Sequence, residues 1–381
     1  MKCSPLPKRR LLLLTLIALL AGPPYPAAEG TVFPDAQWAE ATPESQGVDG
    51  AKLNEAVELL AGTVGSDATR ELVIIRHGRM ICKGQDIDRR HGVWSMTKSF
   101  TSTVLGLLVA DGRSSLDTRV ADVLPELKTH YPEVTLRHFT TMTSGYRAVG
   151  DETTGGYKHG PSRTPFVPNP EPLFTPPGSQ YAYWDSAMNT FSLALTKIAG
   201  ESIEQLFKRR VADPIGMTNW EWGDYATVDG VTVNGGSGNG NKHVFISARE
   251  MARFGLLFLK QGRWKGEPLI DESWVAAATR VHVPATMPWA HPESRIDGRG
   301  VYGFNWWRNG LKPDGTRKLP AAPPGTYWAS GHNNNKCFVI PEWNMVIVRV
   351  GLDGSARDEV WNAFLAKVAE AIMDQDRPTE P

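Results

Sequence analysis

The heptapeptide Trp94-Ser95-Met96-Thr97-Lys98-Ser99-Phe100 sets a serine and a lysine three residues apart at the head of an apolar stripe. Met96, Phe100, Val104, Leu107 and Leu108 recur at helical spacing, which predicts a buried helix opened by Ser95 and closed by Asp111-Gly112. Residues three apart share a helix face, so Lys98 can reach the Ser95 hydroxyl. The helix N-terminus offers unsatisfied N–H groups and positive potential, which suit an oxyanion. Burial disfavours the charged form of a lysine and lets it act as a base toward serine. Alone, a Ser-x-x-Lys is a weak signal, because an N-cap serine followed by a surface lysine spells the same letters. Chance supplies about one or two in a chain of this length.

The elements around it place this helix inside a larger frame. Upstream, Leu53, Ala56, Val57 and Leu60 predict a helix from Gly50 to Gly62, and Glu71 to Cys82 reads as a β-hairpin turning at His77-Gly78. Downstream, Tyr146 to Gly178 is rich in Pro, Gly and Thr and reads as loop. A helix is expected from about Ser186 to Ala199, closed by Gly200, followed by a Gly/Asn-rich loop from Asn234 to Asn241. Phe338 to Val350 reads as two buried strands around Pro341-Glu342, and Val360, Phe364, Val368 and Ile372 share a face of a last helix. Strands thus lie near both ends with helices between them. The expectation is an α+β fold: an antiparallel sheet made from both termini, flanking helices, and a mainly helical insertion over about 86–245.

Composition narrows the function classes. The chain has 381 residues, and its Lys+Arg 41 and Asp+Glu 41 cancel, which gives no electrostatic case for nucleic-acid binding. There is no P-loop, no HExxH and no GxSxG, and the nine histidines include no pair at metal-ligand spacing. A GxGxxG at Gly298–Gly303 lacks a preceding strand and a following helix and reads as loop. Cys3, Cys82 and Cys337 are too few for a disulfide scaffold; two buried free thiols are expected at Cys82 and Cys337, and strand order decides whether a bridge is possible.

Further segments repeat a known order. After the Ser95 heptapeptide come Val123-Leu124-Pro125-Glu126, Leu136-Arg137-His138-Phe139 and Thr143-Ser144-Gly145-Tyr146. Pro177 to Asp185 then runs through Tyr181-Ala182-Tyr183-Trp184, followed by Asp213-Pro214-Ile215-Gly216-Met217, Ala248 to Gly255, Tyr302 to Trp307 and Ser330 to Asn335. In order and spacing the chain resembles the serine β-lactamase and penicillin-binding superfamily, in its class C-like branch of carboxylesterases (family VIII type), D-amino-acid peptidases and 6-aminohexanoate-dimer hydrolases. The resemblance covers about residues 44–372.

That resemblance implies a β-lactamase/transpeptidase-like fold and a serine hydrolase that needs no cofactor or metal. It implies Ser95 as the acylated nucleophile, Lys98 as its partner and Tyr183 as the tyrosine of the family's YxN motif. His332 matches the lysine of KTG, and the oxyanion hole is expected from the backbone N–H groups of Ser95 and Asn335. Two positions depart from the family: Asp185 stands where Asn or Ser is usual, and Asn334 where Gly is usual. A carboxylate at 185 would raise the Lys98 pKa, and a side chain at 334 would sit on the strand edging the site. Trp94, Trp184 and Trp328 each flank a motif, as pocket wall or as core. The reading is an esterase or amidase acting on small molecules. A β-lactamase or D-Ala-D-Ala carboxypeptidase, and an inactive binding or sensor protein on the same scaffold, are the alternatives.

The N-terminus carries a separate expectation. Lys2, Lys8, Arg9 and Arg10 precede an apolar run from Leu11 to Ala21, and Ala27-Ala28 follow, in the order of a secretory signal peptide. The run is shorter than the roughly 20 residues that span a bilayer. Cleavage near Ala28 removes four basic and no acidic residues and leaves a mildly acidic periplasmic or secreted protein without a stable membrane anchor. The expected division is a signal peptide over 1–28, an N-terminal segment over 29–43, a hydrolase domain over 44–372 and a tail over 373–381.

Overall fold

The runs Leu72-Val-Ile-Ile-Arg76 and Met345-Val-Ile-Val-Arg349 have no polar residue to turn toward water until their last position, so a sheet built from them must be covered on both faces. A computed structural model, which describes residues 31–151, 159–160, 162–238 and 241–373, shows how this is done. The proposed signal peptide, most of the tail, and parts of the two Gly-rich loops lie outside those residues. Strands β1 (Leu72–Arg76) and β2 (Arg79–Lys83) form the early hairpin; β3 (Trp307–Arg308), β4 (Tyr327–Gly331), β5 (Asn335–Ile340) and β6 (Met345–Arg349) come from the other end of the chain. They assemble in the order β3-β4-β5-β6-β1-β2, every pair antiparallel, with Leu72 opposite Arg349 and Arg76 opposite Met345.

Alternation then sorts the side chains. Leu72, Ile74, Phe338, Ile340 and Ile347 pack on helices α1 (Gly50–Ala61) and α5 (Asp358–Ala371) through Leu53, Leu60, Trp361 and Phe364. Val73, Ile75, Val339, Val346 and Val348 face a larger core that includes α2 (Thr97–Ala110), α3 (Asp185–Ala199) and α4 (Ala248–Leu259). Asp49 caps α1 by accepting from the Lys52 N–H, and Gly200 closes α3 in the left-handed region at φ 68°. This is the expected α+β, β-lactamase/transpeptidase-like fold. Cys82 and Cys337 are free thiols, the first half-buried and the second buried. Among the described residues no helix is long and apolar enough to cross a membrane.

Between the two halves of the sheet, the chain is less purely helical than expected. His91–Gly92, Val244–Ile246 and Trp220–Trp222 make a three-stranded sheet, and Asp224–Val228 pairs with Val231–Asn234 as a hairpin. The small sheet matters for function because it delivers the chain to Ser95. Gly92 lies so close to His243 that a Cβ would come within 1.9 Å of the ring nitrogen, so only glycine fits there.

Candidate active site

Ser95 sits in a 3-10 turn, Trp94–Met96, that runs directly into α2. The turn is held from both sides: Val93 donates to the Val244 carbonyl, and Val244 donates back to the Thr97 hydroxyl at 2.9 Å. Trp94 adopts φ 54°, a conformation that is costly for a bulky residue and persists where its surroundings fix it. His243 packs against its ring at 5.1 Å, and His332 meets it edge-on at 5.1 Å. Helix α2 is buried from Thr97 to Leu108, and two of its buried hydroxyls find carbonyls: Ser99 donates to that of Asn305 and Thr103 to that of Ser99.

At the second residue of α2, Lys98 Nζ meets three oxygens. It donates to Ser95 Oγ at 2.8 Å, to Asp185 Oδ1 at 2.6 Å and to Ser237 Oγ at 2.9 Å. Its Nζ also lies 4.5 Å from the centre of the Tyr183 ring. Asp185 opens α3, fully buried, and its second oxygen is 3.2 Å from His159 Nδ1. His159 is brought there because Asp185 and Ser186 donate their backbone N–H groups to the carbonyls of His159 and Gly160. Burial alone would push the Asp185 carboxyl up. The Lys98 charge and the contact with His159 outweigh it and hold the group well below the usual carboxylate range. The Tyr183 phenol is held well above its ordinary value, first by burial and then by the Asp185 carboxylate, with the Ser95 hydroxyl pulling the other way.

Ser95 opens into a cavity of about 430 Å³. Trp94, Tyr183 and Trp307 give it aromatic walls and Ile296 an aliphatic one; His159, Gly238, Ser330, Gly331 and His332 complete the lining. Tyr183 and Trp307 stack with centroids 6.4 Å apart. Gly238 presses on the nucleophile, and a Cβ there would lie 2.7 Å from the Ser95 nitrogen. Burial, aided by the charge of His159, lowers the His332 pKa below its usual 6.5.

The structure therefore brings Ser95, Lys98, Tyr183, Asp185 and His332 together, and it corrects two expectations. Asn335 does not line the cavity. Counting three residues on from His332 assumes a strand that continues, but Asn333 and Asn334 take φ 60° and 57° and reverse the chain, so Asn335 lies on β5 opposite Gly331. Its side chain donates to the His332 carbonyl at 2.6 Å and accepts from the Gly351 N–H at 2.9 Å, which ties the turn down. Asn334 likewise does not narrow the site: its side chain accepts from Trp361 Nε1 on α5, at 2.8 Å. Of the three tryptophans, only Trp94 is pocket wall; Trp184 and Trp328 are core. His159, Ser237 and Trp307 were not foreseen.

Known proteins share this frame. A family model described as Beta-lactamase matches residues 71–369. The chain belongs to the beta-lactamase family. It is thus a hydrolase of the β-lactamase fold at the level the family defines. An uncharacterized protein of Alkalihalophilus pseudofirmus is 23% identical over 294 residues, covering 75% of this chain and 81% of that one. A 6-aminohexanoate-dimer hydrolase candidate from Bacillus anthracis superposes with a TM-score of 0.63 at 19% identity, covering 92% of this chain and 91% of that one. A family VIII carboxylesterase does so with a TM-score of 0.61 at 15% identity, covering 88% and 99%.

The family site also makes a stability prediction. His243, whose Nδ1 lies 3.2 Å from the Gly238 carbonyl, is pushed down to about 4, chiefly by burial. A histidine whose folded pKa is depressed binds a proton more readily when unfolded. Its contribution is therefore complete above pH 6.5 and is lost as the pH falls toward 4. We expect the urea midpoint to be flat from pH 8 to 6.5 and then to drop, by up to about 1.4 kcal/mol per pH unit. His243→Phe should make that drop shallower, with His282, also pushed down to about 4 chiefly by burial, keeping the rest; an unchanged slope in the variant would remove His243 from this account.

Proposed function

We propose that the chain is an exported serine hydrolase that cleaves small, neutral esters or amides through an acyl-enzyme on Ser95. The observation that carries this reading is the 2.8 Å contact from Lys98 to Ser95 Oγ at the edge of an aromatic-walled cavity. Ser95 Oγ bonds to the carbonyl carbon as its proton moves onto the Tyr183 oxygen, and Tyr183 gives its own proton to the leaving group, so the Lys98–Tyr183 pair ends with the protons it began with. The backbone N–H of Ser95, at the head of α2, and the Gly331–His332 backbone stabilise the oxyanion. Tyr183, kept protonated by burial and by Asp185, suits proton donation to the leaving group. Water then releases the acid. The pattern of Lys2 to Ala28 supports export, and the mass of the protein recovered from the periplasm tests cleavage near Ala28. The carboxylesterase and 6-aminohexanoate-dimer hydrolase names of two structural neighbours fit ester or amide substrates.

The charge of the cavity favours neutral substrates over β-lactams and peptidoglycan stems, which carry a carboxylate near the scissile bond. Among the described residues, no lysine or arginine lines the cavity. The Lys98 charge is matched by Asp185, and His332, with its pKa lowered, is neutral at pH 7. Losing one charge-assisted contact to a carboxylate costs roughly 1.5–3 kcal/mol, or about 10- to 150-fold. kcat/KM for p-nitrophenyl butyrate should exceed that for a chromogenic cephalosporin by at least this factor. Equal or faster cephalosporin turnover would replace this reading with a β-lactamase.

A further inference from the structure

Ser237 does not line the cavity and is fully buried, yet its hydroxyl meets both members of the ion pair behind Ser95. A hydroxyl has one proton to give, and a carboxylate only accepts. That proton therefore goes to Asp185 Oδ1, and the Ser237 oxygen accepts from Lys98 at 2.9 Å. The same Asp185 oxygen lies 2.6 Å from Lys98 Nζ. A hydrogen bond between opposite charges is roughly twice as strong as one to a neutral hydroxyl, so the carboxylate draws Nζ away from Ser95 Oγ. Ser237 opposes that pull in two ways. Its proton takes up part of the acceptor capacity of Oδ1, and its oxygen gives Nζ a second anchor that keeps it 2.8 Å from Ser95 Oγ.

The segment that carries this hydroxyl is seated by the two helices that carry the ion pair. In Gly235-Gly236-Ser237-Gly238, Ser237 supplies the only side chain. The Gly236 N–H donates to Asn189 Oδ1 on α3 at 3.1 Å, and the Gly236 carbonyl accepts from the Thr101 hydroxyl on α2 at 3.3 Å. A Cβ on Gly236 would come within 2.0 Å of the Met188 carbonyl oxygen, and one on Gly238 within 3.1 Å of Ser95 Oγ. The glycines thus let the backbone press against α3 on one side of Ser237 and against the nucleophile on the other. We propose that Ser237 is a positioning residue, which holds Lys98 on Ser95 against the pull of the Asp185 carboxylate. The proposal rests on the Ser95 acyl-enzyme reading.

Crystal structures and single-turnover kinetics of Ser237→Ala and Ser237→Cys test this. In Ser237→Ala, Lys98 Nζ should stay on Asp185 and withdraw beyond about 3.5 Å from Ser95 Oγ, out of hydrogen-bond range. The limiting rate of p-nitrophenol release from p-nitrophenyl butyrate should fall by at least about tenfold, since a misplacement of about 1 Å costs on the order of 100-fold. The half-saturating concentration should stay within about threefold, because Ser237 does not reach the cavity. Ser237→Cys refills the space with a weak donor and acceptor, so it should behave as Ser237→Ala does. A lysine that keeps its contact with Ser95 Oγ, a rate loss under tenfold, or a half-saturating concentration that moves beyond threefold overturns the proposal. Recovery in Ser237→Cys also overturns it and reduces Ser237 to packing. Failure of the underlying reading looks different: the unsubstituted enzyme would form no adduct on Ser95 with the ester or a fluorophosphonate, while the displacement of Lys98 in Ser237→Ala would still be seen.

Discussion

Ser95→Ala should lower turnover by at least about a thousandfold while leaving substrate affinity in place. The expectation rests on the uniqueness of that oxygen. Three serine hydroxyls lie in or beside the site, and they are not equivalent. Ser237 is fully buried, receives Lys98 and donates to Asp185, so no carbonyl carbon can approach it. Ser330 lines the cavity, but its hydroxyl accepts from Lys336 at 2.7 Å, away from Lys98. Only Ser95 Oγ combines the Lys98 contact, exposure to the cavity and a place at the head of α2. The substitution leaves Lys98 with Asp185 and Ser237 as acceptors, so folding should change by no more than about 1 kcal/mol, the worth of one hydrogen bond. A fluorophosphonate adduct mapped to Ser330 or Ser237, or retained by Ser95→Ala, would refute this assignment.

Much of this is legible in the sequence, for reasons that differ by element. The β1–β2 hairpin, α1, α2, α3 and α5 announce themselves by period and by punctuation at Gly62, Gly78, Gly112 and Gly200, because their burial is regular. The hairpin Asp224–Asn234 was missed, although Asp229-Gly230 is a two-residue turn signal and both residues take positive φ, 50° and 78°. Its side chains are mostly half-exposed, so the alternation is weak. In the site, Ser95 and Lys98 are legible because three residues on a helix fix their separation. His159 and Ser237 are not, since each reaches Lys98 or Asp185 from an irregular segment that backbone hydrogen bonds fold over α3, and no local spacing encodes that approach. Asn335 failed for a converse reason. A count along a strand carries no information once two left-handed residues turn the chain.

The Lys98–Asp185 pair should give the largest stability effects in the molecule. Both groups are almost completely buried and 2.6 Å apart. Removing one partner strands the other charge away from water, so Lys98→Met and Asp185→Asn should each destabilise by about 3–5 kcal/mol. Combining them replaces an ion pair with neutral groups, and the double variant should recover at least about 2 kcal/mol relative to additivity. The two variants that lack Lys98 should not regain turnover, because Lys98 is the group that contacts Ser95 Oγ. The sign with pH separates this from a simple packing defect. In the unsubstituted protein the Asp185 pKa is depressed, so its contribution is present above the unfolded value, near 3.9, and is lost only below it. In Lys98→Met the cation is gone and burial dominates, so the folded carboxyl rises above its unfolded value. The stability deficit of that variant should then be largest at pH 8 and shrink as the pH falls toward 5, as Asp185 takes up a proton. His243 is lowered chiefly by burial, which the substitution leaves in place, and to a smaller extent by the Lys98 charge, so most of its acid sensitivity cancels in the difference. Urea midpoints at pH 8, 6.5 and 5 decide the matter. A deficit independent of pH, or strictly additive losses in the cycle, would mean that Asp185 is not the counter-charge that sets Lys98.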